Sequence, residues 1–342
     1  MVRAMIPWLV STLVPERLRV WTRLAKQLPP AERLTATTRD GQQLALWRVR
    51  PSGKSRGAVF LLHGLGANRF AFHWPGRSFA EYLAAYGFDA YVGELRGAGE
   101  SAPELTSWDF HDYLEQDVPA FLERVREVSG RSRVHFVGHS MGGILAMCHS
   151  ISTGGNEVLS ATAIGSALDY CIGVSGFEPI KKVRPVLQRM NAVPWGVAMQ
   201  ALSPLLARVS DPLAGFNFHP DNAEPALVRQ VYANAFGPIP TALLSSLATG
   251  LDPGGLTSRA GEPFQAKASQ LKTPLLMIAA SDDRQCPNLA TEATAKATGA
   301  KLLHFGASHG HRSEYGHFDL LLGRNAPDEV WPAVLKWLEE KA

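Results

Sequence analysis

Residues 134–143, "VHFVGHSMGG", decide how the rest of this chain is read. Val134, Phe136 and Val137 predict a buried strand, and the run from Met141 to Cys148 predicts a helix. Between them stands Ser140, with Gly138 and Gly142 two residues to either side. A strand that turns sharply into a helix throws the central side chain outward, and side chains at the flanking positions would collide with the turn. The hydroxyl then sits near a helix N-terminus, where free N–H groups favour developing negative charge. The alternative is a glycine-rich junction that lets strand and helix pack and does no chemistry. Deciding between them requires a base, an acid and an oxyanion site elsewhere in the chain.

Composition bounds the answer. The chain has 342 residues, 46% hydrophobic and 19% charged, enough for one large domain with an insertion or for two domains. Its net charge is +3, from 34 basic against 31 acidic residues, and no long block of like charge occurs. That balance excludes the electrostatics of nucleic-acid binding. Cys148, Cys171 and Cys286 are odd in number and widely spaced. They predict reduced, buried thiols in a reducing compartment.

Residues 1–30 are expected to form an N-terminal helical segment. Its apolar run is cut by Pro7 and Pro15, which argues against both a signal peptide and a membrane span. From Pro15 to Leu28, apolar residues alternate with Arg17, Arg19, Arg23 and Lys26. A helix packed across the domain is preferred to an interfacial helix that brings residues 1–28 onto a membrane surface. The expected location is therefore cytoplasmic, with peripheral membrane contact as the lesser reading.

Short apolar runs recur along the chain. "LTATTRDGQQLALWRVR" predicts two strands around Asp40-Gly41, a strong hairpin turn. "GAVFLLHG", "FDAYVGEL", "RVHFVGH", "VLSATAIG", "PLLMIAA" and "KLLHFG" each predict a strand buried on both faces of a mostly parallel sheet. Helices are expected at Ser78–Tyr86, Asp112–Val128, Met141–Ser150, Leu289–Thr298 and after Pro327. This alternation predicts an α/β sheet with helices on both faces. It fails between residues 169 and 270, a stretch containing Trp195, Phe216, Phe218, Tyr232 and Phe236. So long a loop is improbable in a compact domain. Residues 169–270 are expected to form an inserted helical cap over a core built from 31–168 and 271–342.

Three further stretches carry chemistry. In "FLLHGLGAN" a strand ends at His63-Gly64-Leu65-Gly66. Acyl transfer needs two donors aimed at the oxyanion, and the backbone N–H groups of Met141 and Leu65 are expected to supply them. His63 comes early in the chain and is read as structural. "MIAASDDRQCP" offers Asp282 and Asp283 to orient a histidine, or as solvated loop acids. "HFGASHGHRSEYGHFDLLLG" offers His309, His311 and His317, of which His317 precedes an apolar run able to anchor the loop. His309-Gly310-His311 has no acidic or cysteine partner at metal-ligand spacing, so no metal is expected. A serine, an acid and a histidine, in that order and each after a strand, form the chain order of a triad on an α/β-hydrolase sheet.

On these motifs the sequence resembles the α/β-hydrolase superfamily over residues 30–168 and 271–342. The resemblance reads Gly138-His139-Ser140-Met141-Gly142 as the nucleophile elbow and His63-Gly64-Leu65-Gly66 as the oxyanion motif. It reads Ala280 to Pro287 as the acid loop, which selects Asp283 over Asp282. In "ELRGAGES" Glu94 stands where the family pattern has an aspartate. "WDFHDYLEQDVPAFLERVREVSG" and "YGHFDLLLG" look like the corresponding segments of lipase-type members. The resemblance implies a serine esterase or lipase-like hydrolase with Ser140, Asp283 and His317 as triad. Such an enzyme needs no cofactor, and the apolar cap expected over residues 169–270 points to a small-molecule ester with a hydrophobic acyl or alcohol group. The alternative is an acyltransferase that passes the same acyl-serine to an acceptor other than water.

Overall fold

The apolar runs pair into one eight-stranded sheet in the computed structural model, which describes residues 30–101, 107–182, 191–193, 195–203 and 212–342. Its strands are β1 (Glu32–Thr37), β2 (Gln43–Val49), β3 (Gly57–Leu62), β4 (Phe88–Gly93), β5 (Val134–His139), β6 (Val158–Ile164), β7 (Leu275–Ala280) and β8 (Lys301–Phe305). Their spatial order is β1-β2-β4-β3-β5-β6-β7-β8. β1 and β2 form an antiparallel hairpin, closed by Gly41 at φ 83°. β2 is antiparallel to β4, and every pair beyond that is parallel.

Helices fill the crossovers: α1 (Phe79–Ala85), α2 (Val118–Ser129), α3 (Met141–Thr153), α4 (Trp195–Leu202), α5 (Pro212–Asn217), α6 (Pro225–Asn234), α7 (Thr241–Leu247), α8 (Asn288–Thr298), α9 (Asp319–Leu322) and α10 (Ala326–Lys341). The helical run predicted from Asp112 starts earlier, at Phe110. Asp109 caps it, and a π-turn over Tyr113–Asp117 leads into α2. The alternation of side chains along each strand builds two cores. Val59 and Leu61 of β3 point to the face covered by Phe79 and Leu83 of α1 and Val334 and Leu338 of α10. Ala58, Phe60 and Leu62 point to the other face, against Phe121 of α2 and Leu145 and Met147 of α3. Each fully buried Leu or Phe contributes about 1.5–3 kcal/mol, and such double-sided burial requires strands with no polar face.

This topology fixes where a site can form. The chain steps from β3 outward to β4, then crosses back over β3 to β5. The strand order thus reverses between β3 and β5, and loops leaving their carboxyl ends diverge to open a crevice. Residues 169–270 leave the sheet after β6 and return at β7. They contribute α4 to α7 and a two-residue pairing of Ala192–Val193 with Ile239–Pro240, but no strand of the main sheet among the described residues.

The predicted N-terminal helical segment lies outside the described residues, apart from residue 30. No helix among the described residues is long and apolar enough to cross a membrane. One expectation is corrected: Cys148 and Cys286 are buried, but Cys171 is exposed. It follows Tyr170 on an irregular loop just past β6, where no strand or helix periodicity turns the side chain inward.

Candidate functional site

At the end of β5, Ser140 takes φ 55° and ψ −122° before α3 begins at Met141. It is the single non-glycine residue with positive φ among the described residues. Such backbone strain persists only where the surroundings over-determine it. Here they do. A Cβ on Gly138 would overlap the backbone of Gly142, and one on Gly142 would overlap the Leu62 carbonyl oxygen. A Cβ on Gly64 would lie 2.8 Å from the Ser140 Cβ, so the loop leaving β3 lies directly against the elbow. The Ser140 N–H donates to the Ile164 carbonyl at 2.8 Å, and its own carbonyl accepts from Ser166 Oγ at 2.8 Å.

Two other loops bring a carboxylate and an imidazole together. His317 Nδ1 donates to Asp283 Oδ2 at 2.7 Å, and both side chains are about 1% exposed. The second oxygen, Asp283 Oδ1, accepts the N–H groups of Gln285 at 2.8 Å and Cys286 at 2.9 Å. The carboxylate is thereby held in one orientation. Asp282 points away: it is 39% exposed and pairs with Arg284. His317 Nε2 is buried without a hydrogen-bond partner, and the His317 side chain lines the same cavity as Ser140. His309 and His311 line no part of that cavity; His309 stacks on His304 and His311 bonds to Gly306.

The neighbouring histidines hold backbone. His139 Nε2 donates to the His317 carbonyl at 3.0 Å, which ties the turn at Ser140 to the His317 loop. Burial lowers the pKa of His139 well below the usual histidine range, so it serves as a neutral strut. His63 Nε2 accepts the Leu95 N–H at 3.2 Å, which places its proton on Nδ1 for the Gly64 carbonyl at 2.9 Å. Burial lowers its pKa too. Glu94 also fastens this loop. Its buried carboxylate accepts from Trp47 Nε1, the Arg69 guanidinium and the Arg69 and Glu100 N–H groups.

Leu65 and Met141 border Ser140 in a cavity with two lobes. One lobe, of about 620 Å³, runs between Ile144, Tyr170, Leu247, Leu251 and Leu256. The other, of about 840 Å³, contains His317 and is walled by Trp195, Phe216 and Phe236 of the insertion. The first lobe is almost wholly apolar and the second mainly so, with Asn217 and Gln285 adding polar side chains to its wall; Ser140 lies where the lobes meet. The described residues hold no cluster of three or more His, Cys, Asp or Glu suited to a metal ion.

Sequence reasoning missed Gly165 and the pair Asn217 and Gln285. Gly165 sits at φ 60° after β6, and a Cβ there would lie 3.2 Å from the His317 ring and 3.3 Å from Asp283 Oδ2. The signal was present: "VLSATAIG" ends on a glycine at the carboxyl edge of the sheet. Asn217 and Gln285 lie 68 residues apart and nothing local announces their contact.

A family model described as the alpha/beta hydrolase family matches residues 59–330. Among curated proteins, human lipase member K is 29% identical over 189 residues, covering 50% of this chain and 47% of that protein. Bovine gastric triacylglycerol lipase is 30% identical over 131 residues, 33% of each chain. The match thus spans about half the length of the first relative and a third of the second. Among solved structures, a bacterial membrane phospholipase A superposes with a TM-score of 0.62 at 17% identity, covering 98% of this chain and 92% of that one. An esterase from Thermogutta terrifontis gives 0.63 at 17% identity, covering 91% and 99%. Likeness at that identity speaks for the fold alone.

Proposed function

The chain belongs to the alpha/beta hydrolase family, and on that premise we propose that it cleaves carboxylic esters of hydrophobic substrates through an acyl-serine intermediate. The observation that carries this reading is the strained Ser140 facing one cavity with a buried His317–Asp283 pair. His317 Nε2 removes the proton from Ser140 Oγ as the hydroxyl attacks the ester carbonyl. The Leu65 and Met141 N–H groups receive the oxyanion, each donor contributing about 100- to 1,000-fold. His317 then protonates the departing alcohol, and Asp283 stabilises the imidazolium and fixes its tautomer. Water activated by His317 releases the acid and restores the serine.

The cavity supports an apolar substrate, because each buried methylene adds about 0.8 kcal/mol. It also supports a placement of the two halves of the ester. The leaving oxygen must face His317, so the alcohol occupies the lobe that contains it. The acyl chain enters the lobe bordered by Leu65, Met141 and Leu251. Lipases among the relatives support ester cleavage as the reaction class.

Ser140→Ala, assayed on p-nitrophenyl esters of graded chain length, is expected to lose about 10,000-fold or more in kcat. Retained turnover overturns the mechanism, as does a wild type that fails to react with a fluorophosphonate. Product analysis with added alcohol tests the acceptor: transfer product in excess of free acid would replace hydrolysis by acyl transfer.

A further inference from the structure

The insertion is stitched to both loops that carry the acid and the base. Gln285 lies two residues after Asp283. Its N–H donates to Asp283 Oδ1 at 2.8 Å, and its carbonyl accepts from Ser175 Oγ of the insertion at 2.6 Å. Its side-chain Nε2 donates to Asn217 Oδ1 at 2.8 Å and to the Phe216 carbonyl at 3.1 Å. Asn217 then reaches the other loop: its carbonyl accepts the N–H of Phe318, the residue after His317, at 2.8 Å. Asn217 Nδ2 donates to Tyr232 OH of α6 at 2.6 Å. A further stitch follows, where the His219 N–H donates to Asp319 Oδ2 at 2.6 Å. Asn217 is 3% and Gln285 6% exposed, so these are desolvated bonds, worth more than the same bonds in water.

The bonds close a circuit. It runs from Asp283 to Gln285, across to Asn217, on to Phe318 and His317, and back to Asp283 through the 2.7 Å bond between acid and base. Ahead of the pair the two loops are joined directly, by the Asp282 N–H to the Tyr315 carbonyl at 2.9 Å and the Tyr315 N–H to Ser281 Oγ at 3.2 Å, and His139 holds the His317 carbonyl. The link that follows both Asp283 and His317 along the chain is the one made through the insertion. We propose that Asn217 and Gln285 are positioning residues: a clamp through which the inserted segment fixes the spacing of Asp283 and His317. The insertion then does more than wall the cavity, since the acid–base pair is fully aligned only when Phe216–Phe218 is seated. This rests on the reading of Asp283 and His317 as acid and base.

The test removes side chains and spares the backbone bonds. Gln285→Ala, Asn217→Ala and the double variant are compared by proton NMR of the strongly deshielded His317 Nδ1–H, assigned by its loss in His317→Gln. The titratable side chains around the pair are His139, Asp319, Tyr170 and Cys286, and the variants leave all of them in place. The resonance is expected in the wild type and should move upfield or broaden away in each single variant. On a short soluble ester kcat should fall about tenfold with KM changed less than twofold, the signature of a slightly misplaced base. The double variant should lose no more than the worse single one, because both remove the same link. A resonance that stays in place while melting temperature falls overturns the clamp and leaves a structural contact. Additive losses overturn it as well, and so does a wild type without the resonance. If the wild type cleaves no ester, the proposed function fails, and the resonance still decides the clamp.

Discussion

The two sides of the cavity are built on opposite principles. On the sheet side, backbone meets backbone: Gly138 against Gly142, Gly142 against the Leu62 carbonyl, Gly64 against the Ser140 Cβ. Not one added carbon fits at the first two of these contacts. On the insertion side, side chains line two lobes of about 620 and 840 Å³, and apart from Asn217 and Gln285 the walls are mostly leucine, isoleucine and aromatic residues of interchangeable chemistry. Under the proposed function, sheet-side geometry governs whether the reaction happens, and insertion-side volume governs what reacts. Asn217 and Gln285 are where the two principles touch.

The comparison can be broken at the sheet side with the largest effect. Gly142→Ala places a carbon into the Leu62 carbonyl and should displace the elbow; a shift near 1 Å costs about 100-fold in kcat/KM. Overpacking there should also destabilise the fold by about 3 kcal/mol, read from a denaturant melt. A Gly142→Ala protein with wild-type kinetics would show that the elbow has slack. On the insertion side the effect should be smaller and selective. Leu251→Trp fills the lobe assigned to the acyl chain, so short esters should be cleaved normally. Long ones should lose about fourfold in kcat/KM for each methylene excluded. A uniform loss across the series would remove that assignment.

The smallest effect is a pH dependence. Burial pushes the Asp319 carboxyl up to about 7 from its ordinary 3.8, against the pull of the His219 and Gly316 N–H bonds. A carboxyl whose folded pKa exceeds its unfolded value holds more protons when folded. Its contribution to stability is therefore fully present below the unfolded pKa and declines as pH rises through about 7. Asp319→Asn keeps an acceptor for both N–H groups and removes the titration. Its melting temperature should fall less steeply between pH 4 and pH 7 than that of the wild type. Parallel curves would assign the slope to other groups, of which Asp117, pushed by burial up to about 6, is one.

What the sequence made legible follows the same division. Strands buried on both faces announce themselves as apolar runs, and the Asp40-Gly41 turn and the elbow glycines mark positions only glycine or a turn residue tolerates. Ser140, Asp283 and His317 stand out because each follows such a run. The choice between Asp282 and Asp283 was not legible from spacing, since both follow β7; burial beside His317 separates them. Glu94 was legible as a departure but not its consequence, a cradle that gathers Trp47, Arg69 and Glu100 from three separate loops and strands. The insertion was legible only as a failure of periodicity. Its hydrogen bonds to the core join single residues tens of positions apart, such as Asn217 to Gln285, Ser175 to Gln285 and His219 to Asp319, and no repeat encodes them.

The cysteines give the molecule an unplanned handle. Burial pushes the Cys148 thiol well above its ordinary range and the Cys286 thiol up to about 12, so neither presents a thiolate to a reagent at neutral pH. Cys171, at the start of the insertion, is exposed. A maleimide dye added to the unmodified protein would attach there alone. Fluorescence from that one position could follow how the insertion sits on the sheet during turnover, with no residue engineered to carry the label.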